Sequence, residues 1–352
     1  MTCVTYSDQN MSNRFSEIGS EFWIDSSPKE LLSHRDGVYA LSGRTAIDLI
    51  IQDILSNRHV RNVYMPAWCC DSMLTPFISR DFQIFFYDIS YSGKLEYVID
   101  DTISADIFYL TNYFGYENTI PLDQIHRIKS TGAIIIYDRT HSFLMSDDVY
   151  INFADYSFAS IRKWMGVVAG AIVNGIPTHQ FRECPYVNCK ADAMQDKFRF
   201  LNGENIRKEA FLEAFSSYNR LLSNDYSNYG MDDLSYTLYK QEDLKKIRQV
   251  RKDNASYLHE NISELSFIDR LTEDAVPLFV PVIFDNKTQR DTVREKLIDN
   301  QIYCPVHWPK SVLVPQEYAV NDLYERELSL ICDQRYGLKE MQFQVETIKQ
   351  SI

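Results

Sequence analysis

Apolar positions recur in two rhythms along the first 160 residues of the chain. Residues 43–55 (GRTAIDLIIQDIL) open on a glycine and carry Ile47, Ile50, Ile51 and Ile54 at helical spacing, which predicts a buried helix entered from a loop. Short apolar runs then follow at 62–65, 83–87, 106–110, 133–137 and 156–159, separated by helix-like or turn-rich stretches. Strand-sized runs alternating with helical patterns are the grammar of an α/β domain with a largely parallel sheet covered on both faces. The texture changes after residue 205. Residues 232–261 read as one long amphipathic helix, with Leu234, Leu238, Leu244, Ile247, Val250 and Leu258 as its apolar members. A strand is expected at 278–284, with helices at 287–300 and 341–349. The expected architecture is a three-layer α/β/α large domain over 1–230, then a bridging helix and a small α+β domain over 231–352. No fixed-period repeat or low-complexity linker interrupts it.

Composition narrows the classes of function. A chain of 352 residues suits one large and one smaller domain. Its 45% hydrophobic and 24% charged residues are ordinary for a globular protein. The formal net charge is −13, from 49 acidic and 36 basic residues, so there is no overall electrostatic footprint for nucleic acid or an anionic membrane. Residues 1–13 lack the basic start and apolar run of a secretory signal, and the longest apolar stretches fall far short of the roughly 20 residues of a membrane helix. Seven cysteines, Cys3, Cys69, Cys70, Cys184, Cys189, Cys304 and Cys332, show no C-x-x-C spacing. They read as reduced thiols in a cytoplasmic protein rather than disulfides or a zinc site.

In open α/β sheets, ligands gather beyond the carboxyl ends of strands. Four such places carry candidate chemistry. After the run at 133–137 come Asp138, Arg139, Thr140 and His141; a carboxylate there pairs with a neighbour such as Arg139 or binds something cationic. After the run at 156–159 come Ser160, Arg162 and Lys163, with Ser157 within it and Gly166 and Gly170 beyond, a loop suited to an anion or simply a solvated cation pair. Ser42, Gly43, Arg44 and Thr45 at a helix start are a phosphate seat or an ordinary N-cap. Trp68, followed by Cys69 and Cys70, stacks on a planar ligand or fills the core. A single planar, phosphorylated, pyridinium-bearing ligand asks for all four at once. No G-x-G-x-x-G follows any expected strand, which argues against a Rossmann dehydrogenase.

The segments SGRTAIDLI, VYMPAWCCDSM, YLTNYFGY, IIIYDRTHSF, YSFASIRKWMGVVAGAIV, the long MDDLSYTLYKQEDLKKIRQVRKDNASYL, IYCPVHWP and LSLICDQRY together resemble the DegT/DnrJ/EryC1/StrS family of sugar aminotransferases, in a short divergent branch. The resemblance implies fold type I, pyridoxal 5'-phosphate as cofactor, Lys163 as the lysine that carries it, Asp138 against its ring nitrogen and His141 near its phenolic oxygen. It gives Gly43, Arg44 and Thr45 to the phosphate loop and Ser157 or Ser160 to a second phosphate hydroxyl. The stacking residue is Trp68 or, if the alignment is two residues early, Cys70. Asn228 and Tyr229 sit where the family reaches a neighbouring subunit's cofactor, which implies a homodimer with composite sites.

The chain departs from the family where Arg139 and Thr140 replace two alanines and Ala169 replaces the first of two glycines, changes expected to add bulk near the cofactor. The implied reaction moves an amino group from an amino-acid donor, with glutamate expected, to a keto sugar, nucleotide-linked or free, in surface-polysaccharide or secondary-metabolite synthesis. Sugar dehydration, which relatives perform with histidine in place of the lysine, ranks below because Lys163 is retained. A cofactor-fold protein that has lost catalysis is the remaining alternative. Tyr113, His307, Trp308 and Arg335 are the candidates for the substrate side. For Arg335 a carboxylate-binding role competes with a bracing pair to Asp333.

Overall fold

The computed structural model describes residues 17–100, 102–117, 122–146 and 148–352. Cys3 and the expectation about residues 1–13 lie outside them. In chain order the elements are β1 (Ile18–Gly19), β2 (Val38–Ala40), α1 (Gly43–Asn57), β3 (Asn62–Pro66), α2 (Asp71–Ile78), β4 (Gln83–Tyr91), β5 (Leu95–Val98), β6 (Ile107–Thr111), α3 (Leu122–Ser130), β7 (Ile134–Asp138), β8 (Tyr156–Ser160) and β9 (Ala171–Asn174). Then follow α4 (Val187–Leu201), α5 (Lys208–Asn224), α6 (Asp233–Gln241), α7 (Leu244–Asn261), β10 (Ser266–Phe267), β11 (Val280–Ile283), α8 (Lys287–Asp299), β12 (Ile302–Tyr303), α9 (Val320–Arg326), β13 (Glu327–Leu330) and α10 (Leu338–Lys349).

Eight strands form the main sheet in the order β2-β9-β8-β7-β6-β3-β4-β5. The stretch from β8 to β4 is parallel throughout, while β9 and β5 run antiparallel to their neighbours. This is the α/β class expected from the alternating pattern. The central strands β6 and β7 are buried at every position, as strands covered on both faces must be. At the β2 end the two faces separate clearly. Val38, Ala40, Ala171 and Val173 join the core beneath α1 and α2, whereas Tyr39 and Ile172 face the core made with α4, α5 and α6.

A three-stranded antiparallel sheet, β10-β11-β13, forms beside α7, α8 and α10. Ala255, Leu258, Val280, Val282, Val293, Leu297, Met341 and Ile348 make its core. The expected single helix over 232–261 is instead two. Glu242 is extended, and the Asp243 carboxylate accepts the Lys245 and Lys246 amides to start α7 afresh. The six-residue step from Leu238 to Leu244 falls short of the 7.2 residues in two turns, so an unbroken helix could not hold both leucines on one buried stripe.

Candidate active site

The first wall of the site is the start of α1. Ser42 is its N-cap, its hydroxyl accepting the Thr45 amide at 3.2 Å and lying 2.9 Å from the Thr45 hydroxyl. Gly43 faces β8 so closely that a Cβ there would lie 3.5 Å from Ser160 Cβ. Beyond β8 a short 3-10 turn, Ile161–Lys163, swings Arg162 and Lys163 over the strand end. Opposite stands β7, ending in Asp138.

Ser42, Gly43, Arg44, Cys70, Asp138, His141, Ser160, Arg162, Lys163 and Trp308 all line one cavity of about 240 Å³. Among the described residues Arg44 and Arg162 each carry a buried Nε–H with no hydrogen-bond partner, while Arg44 Nη1 donates to Leu222 O at 3.1 Å. Two cationic donors left short beside a helix N-terminus describe a site for an anion of phosphate size.

At the other end Asp138 is buried, Oδ2 accepting from the Tyr109 hydroxyl at 2.9 Å and Oδ1 from the Thr140 amide at 2.8 Å. Burial pushes its carboxyl up, against the pull of the Thr140 hydrogen bonds, the Lys163 charge and Tyr109. His141 is held from behind. Its Nδ1 accepts the Phe114 amide at 3.1 Å, which places the ring proton on Nε2, and its ring stacks on Trp308 at 5.6 Å. Burial, with the Lys163 charge, drives its pKa well below the usual imidazole range. The loop behind it depends on Gly115, where φ is +79° and a Cβ would lie 2.2 Å from Val276 O and 2.7 Å from His141 O.

Lys163 also lines a second cavity, of about 410 Å³, with Arg162, Arg251, Tyr303, His307 and Arg335. The two cavities meet at this lysine. A larger cavity of about 800 Å³, around Gly37, Arg182 and Met231, holds none of the expected site residues.

Several expected residues stand elsewhere. Trp68 does not reach the cavity: it is fully buried, donates from Nε1 to His307 O at 2.7 Å and stacks on Tyr113 at 4.8 Å. Tyr113 is equally buried and donates to Trp68 O, so it is core rather than wall. Cys70, which precedes α2, lines the cavity instead, and the aromatics that line it are Phe158 and Trp308. The Ser157 hydroxyl accepts from Asn174 and does not line the cavity, whereas Ser160 does. Thr45 is buried behind Ser42. Arg335 is committed to Asp333 through two 2.8 Å hydrogen bonds, the bracing alternative.

Of the expected extra bulk, only that of Thr140 is at the site. Arg139 points away to Asp148, and Ala169 is buried with its amide on Ser235; only Thr140 touches the cavity, its hydroxyl accepting the Ser160 amide. Asn228 lies outside the cavity of its own chain, at φ +58°, with a buried Oδ1 that has no partner. Tyr109, Thr111 and the orphaned Nε of Arg162 were not legible as site features. Tyr109 and Thr111 fall within an all-buried strand, where sequence does not say which face meets a ligand.

No protein-family model matches the chain, and no curated protein matches it in sequence. Its fold is that of the sugar aminotransferases. Solved structures that share it include Helicobacter pylori PseC, an aminotransferase involved in the biosynthesis of pseudoaminic acid, at TM-score 0.67 and 14% identity over 96% of this chain and 99% of that one. The candidate sugar aminotransferase Spr1654 from Streptococcus pneumoniae, in its pyridoxal-phosphate form, has TM-score 0.63 and 14% identity over 89% and 86%. A DegT DnrJ EryC1 StrS aminotransferase from Brucella abortus has TM-score 0.59 and 14% identity over 89% and 85%. No helix among the described residues is long and apolar enough to cross a membrane, and no group of side chains there could hold a metal ion.

Proposed function

We propose that the chain is a pyridoxal-phosphate-dependent aminotransferase, acting on a keto sugar with an amino-acid donor. In this reading 1–230 is the cofactor-binding domain, and 231–352 holds the bridging helices and the small domain. The observation that carries it is one cavity lined by Lys163, Asp138, Arg44 and Arg162, the two arginines each with a buried Nε–H that no described residue accepts. Ser42, Gly43, Arg44, Ser160 and Arg162 would hold the phosphate, and Asp138 would keep a proton on the ring nitrogen. His141 Nε2–H would donate to the phenolic oxygen. Bound there, pyridoxal phosphate supplies an electron sink for the carbon that bears the amine.

Asp138 suits this role because a buried carboxylate without a cation is unfavourable, so the site favours a protonated ring in front of it. Lys163, exposed where the cavities meet, carries the amine that holds the cofactor and moves the proton at the substrate carbon. The second cavity would receive donor and acceptor. Asn228, with its unpartnered Oδ1, supports a homodimer in which this residue serves the neighbour's site. The six free thiols among the described residues suit a cytoplasmic enzyme.

Protein supplied with pyridoxal phosphate is expected to develop visible absorbance that borohydride fixes to Lys163. In Lys163→Ala that covalent product disappears and turnover of amino donors falls by roughly 10⁴-fold. A folded wild-type chain that takes up no cofactor would overturn the reading.

A further inference from the structure

Behind the second cavity, β13 places Glu327 and Ser329 on one face, two residues apart, both fully buried. Glu327 Oε2 accepts the backbone amide of His307 at 2.7 Å, and Oε1 lies 2.5 Å from the Ser329 hydroxyl. That hydroxyl lies 2.8 Å from His307 Nδ1. Glu327 Oε1 and His307 Nδ1 are themselves 4.0 Å apart, too far for a direct hydrogen bond, so Ser329 bridges them. With Nδ1 engaged, Nε2 is the ring nitrogen left to the cavity that His307 lines with Lys163.

Among the described residues no Lys or Arg side chain hydrogen-bonds the Glu327 carboxyl, and the Arg290 charge only partly counters its burial. Arg290 reaches only its backbone oxygen and turns its Nε to Asp291. Burial pushes the Glu327 carboxyl up to about 8, and burial with the Lys163 charge pushes His307 down to about 3. An imidazolium facing a carboxylate is therefore disfavoured at this spacing, and the neutral pair is favoured.

We propose that Glu327, Ser329 and His307 form a proton relay opening on the cavity shared with Lys163, and that through it His307 takes a proton from the ammonium group of the incoming amino donor. The relay rests on the aminotransferase reading for its substrate. The ammonium N–H bond breaks and His307 Nε2–H forms. Nδ1–H breaks as Ser329 gains that proton, and the former Ser329 proton passes to Glu327 Oε1. One proton is moved and no electrons are exchanged. The negative charge on Glu327 and the positive charge on the donor disappear together, and His307 is never left cationic. Glu327 and Ser329 are positioning residues, and His307 is the group that touches substrate.

The relay accepts a proton only when Glu327 is ionised, so the amino-donor half-reaction is expected to speed up as pH rises through about 8. The other titratable or charged groups around it are Lys163 from the turn after β8, His141 from the loop after β7, Arg290 from α8 and Cys304 after β12, with Glu21, Arg162, Arg251, Arg294, Asp333 and Arg335 lining the cavity it opens on.

The test is nitrogen-15 NMR of labelled histidine in the full chain loaded with pyridoxal phosphate, with the apo chain as control. His307 is expected to carry its proton on Nε2 below about pH 8 and on Nδ1 above it. In Glu327→Gln the tautomer is expected to stop responding to pH. The half-reaction is expected to slow about 10²-fold and lose its alkaline rise, while cofactor absorbance persists. Ser329→Ala, a smaller change, is expected to slow it likewise. A His307 tautomer that ignores pH in the wild type, or a Glu327→Gln chain as fast as wild type, overturns the relay. Lack of cofactor absorbance in the wild type unseats the aminotransferase reading instead, and the tautomer measured in the apo chain still decides the relay.

Discussion

The two cavities that meet at Lys163 use the same side chain in opposite ways. In the first, Arg44, which donates from Nη1 to Leu222 O, and Arg162, which also borders the second, each leave a buried Nε–H without a partner among the described residues. In the second, Arg335 is spent on Asp333 and on the carbonyls of Ser20 and Glu21, and Arg251 on Gln334 and the carbonyls of Pro277 and Leu278. Asp333 is held below the usual carboxylate range by Arg335 despite its burial, as expected for a committed pair. Cations near a site are therefore not equivalent: saturated ones are architecture, and those left short are available to a ligand.

The sharpest way to break this contrast is at the carboxylate of the first cavity. Asp138→Asn, which keeps shape but loses charge, is expected to lower turnover by roughly 10² to 10³-fold in single-turnover assays, with little change in folding. Next comes the second cavity. Arg335→Ala leaves the buried Asp333 unpaired and is expected to destabilise the chain by about 3 kcal/mol in urea unfolding. Cofactor affinity should stay unchanged, and a loss of affinity without a loss of stability would reverse the assignment.

Arg44→Met and Arg162→Met are expected to do the converse, weakening pyridoxal phosphate roughly tenfold or more by equilibrium titration. Their stability should be nearly unchanged, and binding of pyridoxal without its phosphate should be spared.

The smallest expected effect is in pH. His307, lowered to about 3, contributes stability that is present above its unfolded value near 6.5 and lost as pH falls. Glu327, raised to about 8, has the opposite sign, its contribution fading as pH rises from about 4.5 to 8. Between pH 7 and 6 the Glu327 gain of about 1.3 kcal/mol outweighs the His307 loss of about 0.7 kcal/mol, so the wild type is expected to gain stability as pH falls. Glu327→Gln is expected to uncover a loss of roughly 0.7 kcal/mol for His307 over that interval, read from unfolding curves.

The parallel strands β3, β4, β6, β7 and β8 and the helix α1 were legible because burial on both faces leaves unbroken apolar runs, and Ser42 with Gly43 marks a helix start, whereas short strands such as β2, β5 and β9 leave no such run. Asp138 and Lys163 were legible as polar residues directly after such runs. What escaped depends on direction rather than residue type. Trp68 and Cys70 lie two residues apart in a turn, and only packing against Tyr113 and Trp308 decides which faces the cavity. Glu327 opens a short strand between Arg326 and Leu328, where a charged residue reads as solvated, and its partner His307 is 20 residues away in sequence. The division of the 232–261 segment into α6 and α7 rests on Asp243 acting as a cap, which competes with a helical pattern that looks continuous.

The seam at Lys163 has a kinetic consequence. On the aminotransferase reading, if the first cavity keeps its anion-bearing occupant throughout, donor and acceptor would pass in turn through the same 410 Å³ chamber. Neither can wait beside the other, so each is a competitor for the form of the enzyme meant for its counterpart. High acceptor concentration should then slow the enzyme rather than saturate it.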